Sequence, residues 1–382
     1  VSVSDMRYIS PVPNSSMNRQ TANFSMNSKF GKRITLEARA AYSTSKSKNR
    51  PYPQRYVQML SIIPTSWDIN WLKGETDKWG AKPDGWMLPF STNDYYQNPY
   101  WSAYQDSQND QRDRVTANAN LRYDITDWLF LNGRLGTETT TLKVTNIDAY
   151  GFLRGNVAGT GAVAEYTNLE NQLNAEYSLN FNKAFGGVNV VAMVGGSATR
   201  SHYNRDGISG DQLLIPFYHV ITNAGQLYTS VGNSNSGINS LYGSAEASYK
   251  DLVYLTVTGR NDWFSTLAPA NNSIFYPSVG ISYLLHNQIS LPEWWSFAKV
   301  RASYAEVGGG SSAYATKIGY NFDATGYMNT PLVSLPGSIA NPNLLPYETR
   351  EYEAGIDFRF FQNRIGIDYA YYDKKTTNDI VG

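Results

Sequence analysis

"GRNDWFSTLAPANNSIFYPSVGISYLL", residues 259–285, sets a polar loop carrying Trp263 between two runs that alternate apolar with small or polar residues. In the second run Val279, Ile281, Tyr283 and Leu285 oppose Ser278, Gly280 and Ser282. Side chains of a strand point alternately to opposite faces, so one face of this run is apolar and the other polar. Neither run suits a strand buried on both faces. Each needs surroundings that are greasy on one side and wet on the other.

The same alternation recurs along the chain. In 21–30, Ala22, Phe24, Met26 and Phe30 oppose Thr21, Asn23, Ser25 and Lys29, and after "GKR" the run 33–43 answers with Ile34, Leu36, Ala38, Ala40 and Tyr42. The runs 112–123 and 128–142, 165–181 and "VNVVAMVGGS", 239–249 and 252–260, and 276–285 and 297–307 repeat it. The last pair sets Tyr352, Ala354, Ile356, Phe358 and Phe360 against Glu351, Glu353, Asp357 and Arg359, then continues through Ile365, Ile367, Tyr369 and Tyr371. This predicts roughly twelve strands.

Short joins alternate with long polar ones at 46–110, 143–163, 203–237, 261–275 and 308–346, so one rim is tight and the other elaborate. Runs of ten or more residues match a membrane strand of about 9–11 residues better than a sandwich strand of about 5–6. The expected fold is all-β: a transmembrane antiparallel up-and-down β-barrel, with residues 1–382 forming one barrel domain. The apolar parity would face lipid and the charged parity a wet lumen. The alternative is a soluble or surface-attached β-rich adhesin or carbohydrate-binding protein, whose apolar faces would meet across two stacked sheets.

Composition narrows the partners. Lys+Arg and Asp+Glu are both 32, for a formal net charge of +0, so nothing draws the chain to nucleic acid. Cysteine is absent, which removes disulfides and thiolate metal sites. Tyr 29, Phe 15 and Trp 9 stand in a chain of mean hydropathy -0.43, an aromatic wealth suited to interfaces that are apolar on one side. No run approaches the roughly 20 apolar residues of a spanning helix. "VSVSDMRYIS" lacks the basic and apolar regions of a signal peptide, and the chain stops at "DIVG" just after a strand-like run. The expectation is therefore a piece of a longer polypeptide.

Three blocks carry a family resemblance: the opening stretch, "LPEWWSFAKVRASYAEVG", and "NPNLLPYETREYEAGIDFRFFQNRIGIDYAYYDKKTTNDIVG". In this order they resemble the barrel of SusC/RagA-like TonB-dependent outer-membrane transporters of Bacteroidetes-type bacteria. Residues 11–50 resemble the early barrel hairpin of that family more loosely. The resemblance implies a plugged barrel of about 22 strands in the bacterial outer membrane, with long loops extracellular and short turns periplasmic; against that pattern residues 1–382 are expected to be a partial barrel, without the N-terminal plug and C-terminal strands. It further implies a SusD-like lipoprotein lid, coupling to the TonB complex through an N-terminal region, and import of an oligosaccharide or oligopeptide.

Catalytic constellations are thin. His202, His219 and His286 fall in or beside predicted loops with no zinc spacing, and there is no Gly-x-Ser-x-Gly elbow. "GNVAGTG" at 155–161 lacks a phosphate-loop lysine, and "NRDGISGD" at 204–211 offers oxygen donors without the EF-hand pattern. Glu351 and Glu353 share a face with Asp357 and Arg359, which reads as a mixed-charge lumen wall rather than an acid/base pair. No enzyme activity, cofactor or metal is expected.

The loop 46–110 stands apart, holding five of nine tryptophans. Long loops on a rigid scaffold usually carry function. The expected substrate-binding set is Trp67, Trp71, Trp79, Trp86, Tyr95, Tyr96 and Trp101 as stacking faces, with Asp68 and Asp94 as hydrogen-bond partners. The competing reading packs these rings into a small core of the loop itself, around a helix at "PQRYVQMLSII", or docks them on a lid protein. Trp128, Trp294 and Trp295 lie by short joins and read as an aromatic girdle.

Overall fold

The computed structural model describes residues 1–50, 53–89, 96–152, 159–323, 330–337 and 339–379. Thirteen strands form one antiparallel sheet whose spatial order is the chain order. They are β1 (Ser2–Ile9), β2 (Ser16–Phe30), β3 (Ile34–Lys48), β4 (Ser107–Asp124), β5 (Leu129–Asp148), β6 (Ala162–Phe185), β7 (Val188–Leu213), β8 (Ala224–Tyr249), β9 (Val253–Phe264), β10 (Ser273–Leu284), β11 (Trp295–Gly309), β14 (Tyr347–Phe360) and β15 (Ile365–Thr377). A small hairpin, β12 (Asn321–Asp323) with β13 (Leu332–Ser334), decorates the last long loop.

Register shows why this sheet has two different faces. Ala192, Ala245, Val257, Val279, Tyr304 and Tyr352 stand directly opposite one another from β7 to β14. Val253, Tyr283, Val300, Ile356 and Tyr369 form a second such row. A one-residue slip would turn every one of these side chains over, so the pattern fixes the pairing. On the other parity Lys299 faces Asp357 and Ser303 faces Glu353. A third row runs Met26, Ala38, Ala119, Leu135, Ala175 and Ala198, then leaves the apolar band at Asn239. The band thus crosses the hydrogen-bond rows obliquely, as strand tilt in a barrel wall demands.

Nothing in the described chain covers this apolar face. Leu135 is 55% exposed, Val257 47% and Ile281 48%. The cluster of buried apolar side chains, Ala81, Met87, Trp101 and Ala149, lies in the loops instead. The two stacked layers required by the adhesin alternative are absent among the described residues. No described helix is long and apolar enough to cross a membrane.

The sheet departs from the sequence expectation at two places. β1 is absent from the twelve predicted strands because its row partners, Val3 with Ala22, Asp5 with Gln20 and Arg7 with Asn18, give it no apolar face. The predicted loops at 143–163 and 203–237 are shortened from both ends, the first because β5 and β6 run to 20 and 24 residues and the second because β7 and β8 run to 26 each. At about 3.3 Å per residue such strands outrun the roughly 30 Å of hydrocarbon. Their far ends need no apolar face, which hides them from a search for alternation. "NRDGISGD" accordingly lies within β7 as extended strand, with Asn204 bonded to Asp206, and forms no cation loop.

Tight turns join strands at one rim. Lys250 and Asp251, at φ 50° and 54°, make one of them. Aromatic rings gather there: Trp128 against Phe181 at 5.4 Å, and Trp294 stacked on Phe360 at 5.8 Å.

Two substitutions separate the faces. Ile281→Arg on the apolar face is expected to destabilise the protein in lipid by about 2–4 kcal/mol. Ser278→Arg, one face over and three residues away, should cost far less in the same bilayer unfolding measurement.

Candidate functional site

The polar face is a wall of paired charges. Arg114 meets Glu138 at 2.8 Å, and Arg134 lies 3.7 Å from Glu176. The Tyr242 hydroxyl donates to Glu176 across the intervening β7, beside its register partner Gly195. A Cβ at Gly195 would come within 2.4 Å of the Tyr177 carbonyl, so glycine keeps that crossing open. Arg260 pairs with the buried Asp262 at 2.8 Å and reaches Ser240, while Tyr276 also donates to Asp262. Arg301 bridges Glu353 and Asp368, at 3.1 Å each. Partly exposed pairs of this kind contribute little stability apiece. Their effect is to leave a hydrated, nearly neutral surface of donors and acceptors.

At the opposite rim the described residues of the segment 49–106 fold into a cap. It holds α1 (Pro53–Ser61), a 3-10 turn over Ile69–Lys73 and α2 (Pro99–Tyr104). Asn98 organises it: fully buried, it caps α2 by accepting from Tyr100 N and Trp101 N, and its amide donates to the Leu72 and Leu88 carbonyls. The Asn98-Pro99 pair is a legible helix start, with a capping side chain followed by proline at the first position.

Anchors tie the cap to the strands. Asn14 and Asn49 both donate to the Ala103 carbonyl, at 2.9 and 2.6 Å. Arg50 forms two bonds to the buried Asp110, at 2.7 and 3.0 Å, and these hold the guanidinium pKa above its ordinary value. Asp106 accepts from Gln97 and from Ala149 N. Ser45, Ser47 and Asp110, which share the polar parity, are buried here while Lys46 and Lys48 on the other parity stay exposed. The cap therefore leans over the polar face.

A second clasp joins the cap to the loop 214–223. Phe217 packs on Tyr150 at 5.2 Å, Tyr150 on Trp86 at 5.8 Å, and His219 Nε2 accepts from Tyr150 N at 2.9 Å. Burial pushes the His219 imidazole below its ordinary pKa, favouring the neutral ring that this bond requires.

The structure divides the predicted binding set. Trp101 is 1% exposed in the core of the cap, beside Met87 and Ala149. Trp79 and Trp86 are half-buried, Trp79 packing on Tyr104 at 4.7 Å with the Lys73 ammonium over its ring. Trp67 and Trp71 are exposed at 42% and 67%, their rings 6.4 Å apart and tilted by 54°. Asp68 between them caps the 3-10 turn by accepting from Asn70 N. Tyr96 is exposed at 37%, and Asp94 and Tyr95 lie outside the described residues. Asn98, Arg50, Asp110 and His219, which hold the cap in place, are not among the predicted site residues. Their roles depend on partners distant in sequence.

The sequence profile described as "TonB dependent receptor-like, beta-barrel" matches residues 63–382. The chain belongs to the TonB-dependent receptor family. It is 26% identical over 306 residues to TonB-dependent receptor P3 of Formosa agariphila, covering 77% of this chain and 30% of that one. Among solved structures its fold resembles the RagAB peptide transporter, with a TM-score of 0.74 at 13% identity over 95% of this chain and 40% of that one. The ferripyoverdine receptor of the Pseudomonas aeruginosa outer membrane matches less closely, at TM-score 0.55 and 16% identity, over 97% of this chain and 43% of that one. The SusC/RagA-like resemblance read from the three sequence blocks agrees with this order. This TonB-dependent receptor chain spans less than half the length of these relatives. Its family places it in the bacterial outer membrane.

In a full-length receptor, Asn98→Ala removes the α2 cap and two further bonds, which should loosen the cap by at least about 1–2 kcal/mol. Protease cleavage within 49–106 is expected to quicken several-fold while the heat-induced gel shift of the barrel is unchanged. Because the His219 pKa is depressed on folding, its bond is present above about pH 6.5 and weakens as pH falls through the lower folded value. Amide-exchange protection at Tyr150 should fall in that window, and should be insensitive to pH there in His219→Gln.

Proposed function

We propose that this chain forms the larger part of the barrel wall of a transporter that imports oligomeric nutrients, glycans or oligopeptides, across the outer membrane. The observation that carries this reading is the pairing of an uncovered apolar face with a charged wall over which an aromatic cap leans. Within residues 1–382 the described sheet ends at β1 and β15, each paired on one side. Unpaired strand edges are intolerable in hydrocarbon, so strands elsewhere in the polypeptide close the barrel. A plug in its lumen and a TonB-contacting segment complete the coupling.

In this reading the long loops are extracellular and the short turns periplasmic. The uncovered pair Trp67 and Trp71, with Tyr96, offers the stacking faces for cargo, while Trp79, Trp86 and Trp101 hold the platform rigid. The apolar tip formed by Leu214, Ile215 and Tyr218, exposed at 73%, 59% and 55%, supports docking of a SusD-like lipoprotein at the same rim.

Bacteria carrying the full-length gene with Trp67→Ala and Trp71→Ala together should take up labelled oligosaccharide or oligopeptide at least about tenfold more slowly, each buried ring face contributing roughly 1 kcal/mol. Surface amounts should not change. Unaltered uptake of every oligomer that the native receptor imports would contradict the assignment. Copurification with a lipoprotein should weaken in Ile215→Asp.

A further inference from the structure

One hollow belongs neither to the cap nor to the polar wall. It encloses about 790 Å³ beside β6 to β9, between Asn171, Arg200, His202, Asn235, Asn239 and Trp263. These six side chains share the parity of the apolar band. Arg200 stands opposite Leu173, and Asn239 and Trp263 continue the row of Ala175 and Ala198. The hollow therefore opens on the lipid-side face, where that band gives way to polar residues on the long-loop side.

Arg200 is fixed there without a counter-charge. Its Nη1 donates to the carbonyls of Thr199 at 2.8 Å and Ile238 at 3.3 Å, and its Nη2 donates to Asn239 Oδ1 at 2.7 Å. It lies along Gly237, where a Cβ would stand 3.2 Å from its Cδ. Beside it, His202 Nδ1 donates to Asn235 Oδ1 at 2.6 Å. Every one of these partners is neutral, and none of the described residues lining the hollow is acidic. On the polar wall, by contrast, Arg114, Arg134, Arg260 and Arg301 each have a carboxylate. An oriented guanidinium at the border of hydrocarbon, with unused donors, is complementary to a phosphate. The space exceeds one phosphate, and amides with a Trp face suit sugar hydroxyls and rings.

We propose that this hollow seats the phosphorylated sugar headgroup of an outer-leaflet glycolipid, with Arg200 on the phosphate and Asn235, Asn239 and Trp263 around the sugar. The choice of leaflet rests on the loop orientation proposed above. The headgroup chemistry does not.

The test uses the full-length receptor purified in detergent and titrated with diphosphoryl lipid A, followed by native mass spectrometry. Arg200→Gln is expected to weaken binding about tenfold or more, the worth of a charge-assisted contact. Arg200→Lys should fall between it and wild type, and Arg114→Gln on the polar wall should match wild type. Dephosphorylated lipid A should bind wild type as weakly as the diphosphoryl form binds Arg200→Gln. Equal binding by wild type and Arg200→Gln, or equal binding of the two lipids, would overturn the site. Equal competition by phosphatidylglycerol or inorganic phosphate would overturn the glycolipid. Labelling of Trp71→Cys on intact cells with an impermeant reagent checks orientation separately. A thiol that stays protected in that variant, with intact lipid A binding, would sink the leaflet assignment and the orientation together, while supporting the headgroup chemistry.

Discussion

A backbone N–H or carbonyl in hydrocarbon has no water to relieve it, so a spanning strand must be bonded to neighbours on both sides. Every other feature of this chain follows from meeting that demand with period-two sequence. Once neighbouring strands are paired, the only freedom left is which parity faces outward. The register answers by lining up Ala245, Val257, Val279 and Tyr304 on one face and leaving Arg260 with Asp262, and Arg301 with Glu353 and Asp368, to the other. The sheet does not need a core because lipid stands where a core would be.

The polar wall and the cap solve the complementary problem. A lumen rich in charge binds its contents too firmly unless those charges are already engaged, and Arg260 with Asp262 or Arg301 with Glu353 and Asp368 are engaged within the wall. Under the proposed import function, what remains to meet cargo is directional and weak, which suits passage more than retention. The cap is rigid for a different reason. Its buried Asn98 satisfies two carbonyls and two amides, and the Arg50 to Asp110 pair fastens the entry of the segment to the top of β4. A long loop held in this way presents Trp67 and Trp71 at fixed positions without the ordering cost of a floppy loop.

The transmembrane part of the fold was legible because lipid imposes alternation on sequence. Runs such as 276–285 and 351–360 could be assigned to strands and faces from parity alone. Where the strands leave the hydrocarbon, as β7 and β8 do beyond Arg200 and Asn239, water accepts either face and the alternation fades. β1 was silent for the same reason. In the cap the tryptophan count marked the right segment, but not which rings were free. Trp101 and Trp71 look alike in sequence. Only the neighbours, Met87 and Ala149 for one and solvent for the other, separate a core ring from an exposed one. The Asn98-Pro99 start was readable, whereas Asn14 and Asn49 meeting at the Ala103 carbonyl was not.

The orientation of the two parities is open to direct measurement, helped by the absence of native cysteine from this chain. Single cysteines placed in turn from position 278 to 283 of the full-length receptor, each carrying a fluorophore in a bilayer, report contact with quencher-bearing lipid tails. Strong quenching at 279, 281 and 283 with little at 278, 280 and 282 is the predicted result. Uniform quenching along the run, or quenching at the even positions alone, would contradict it.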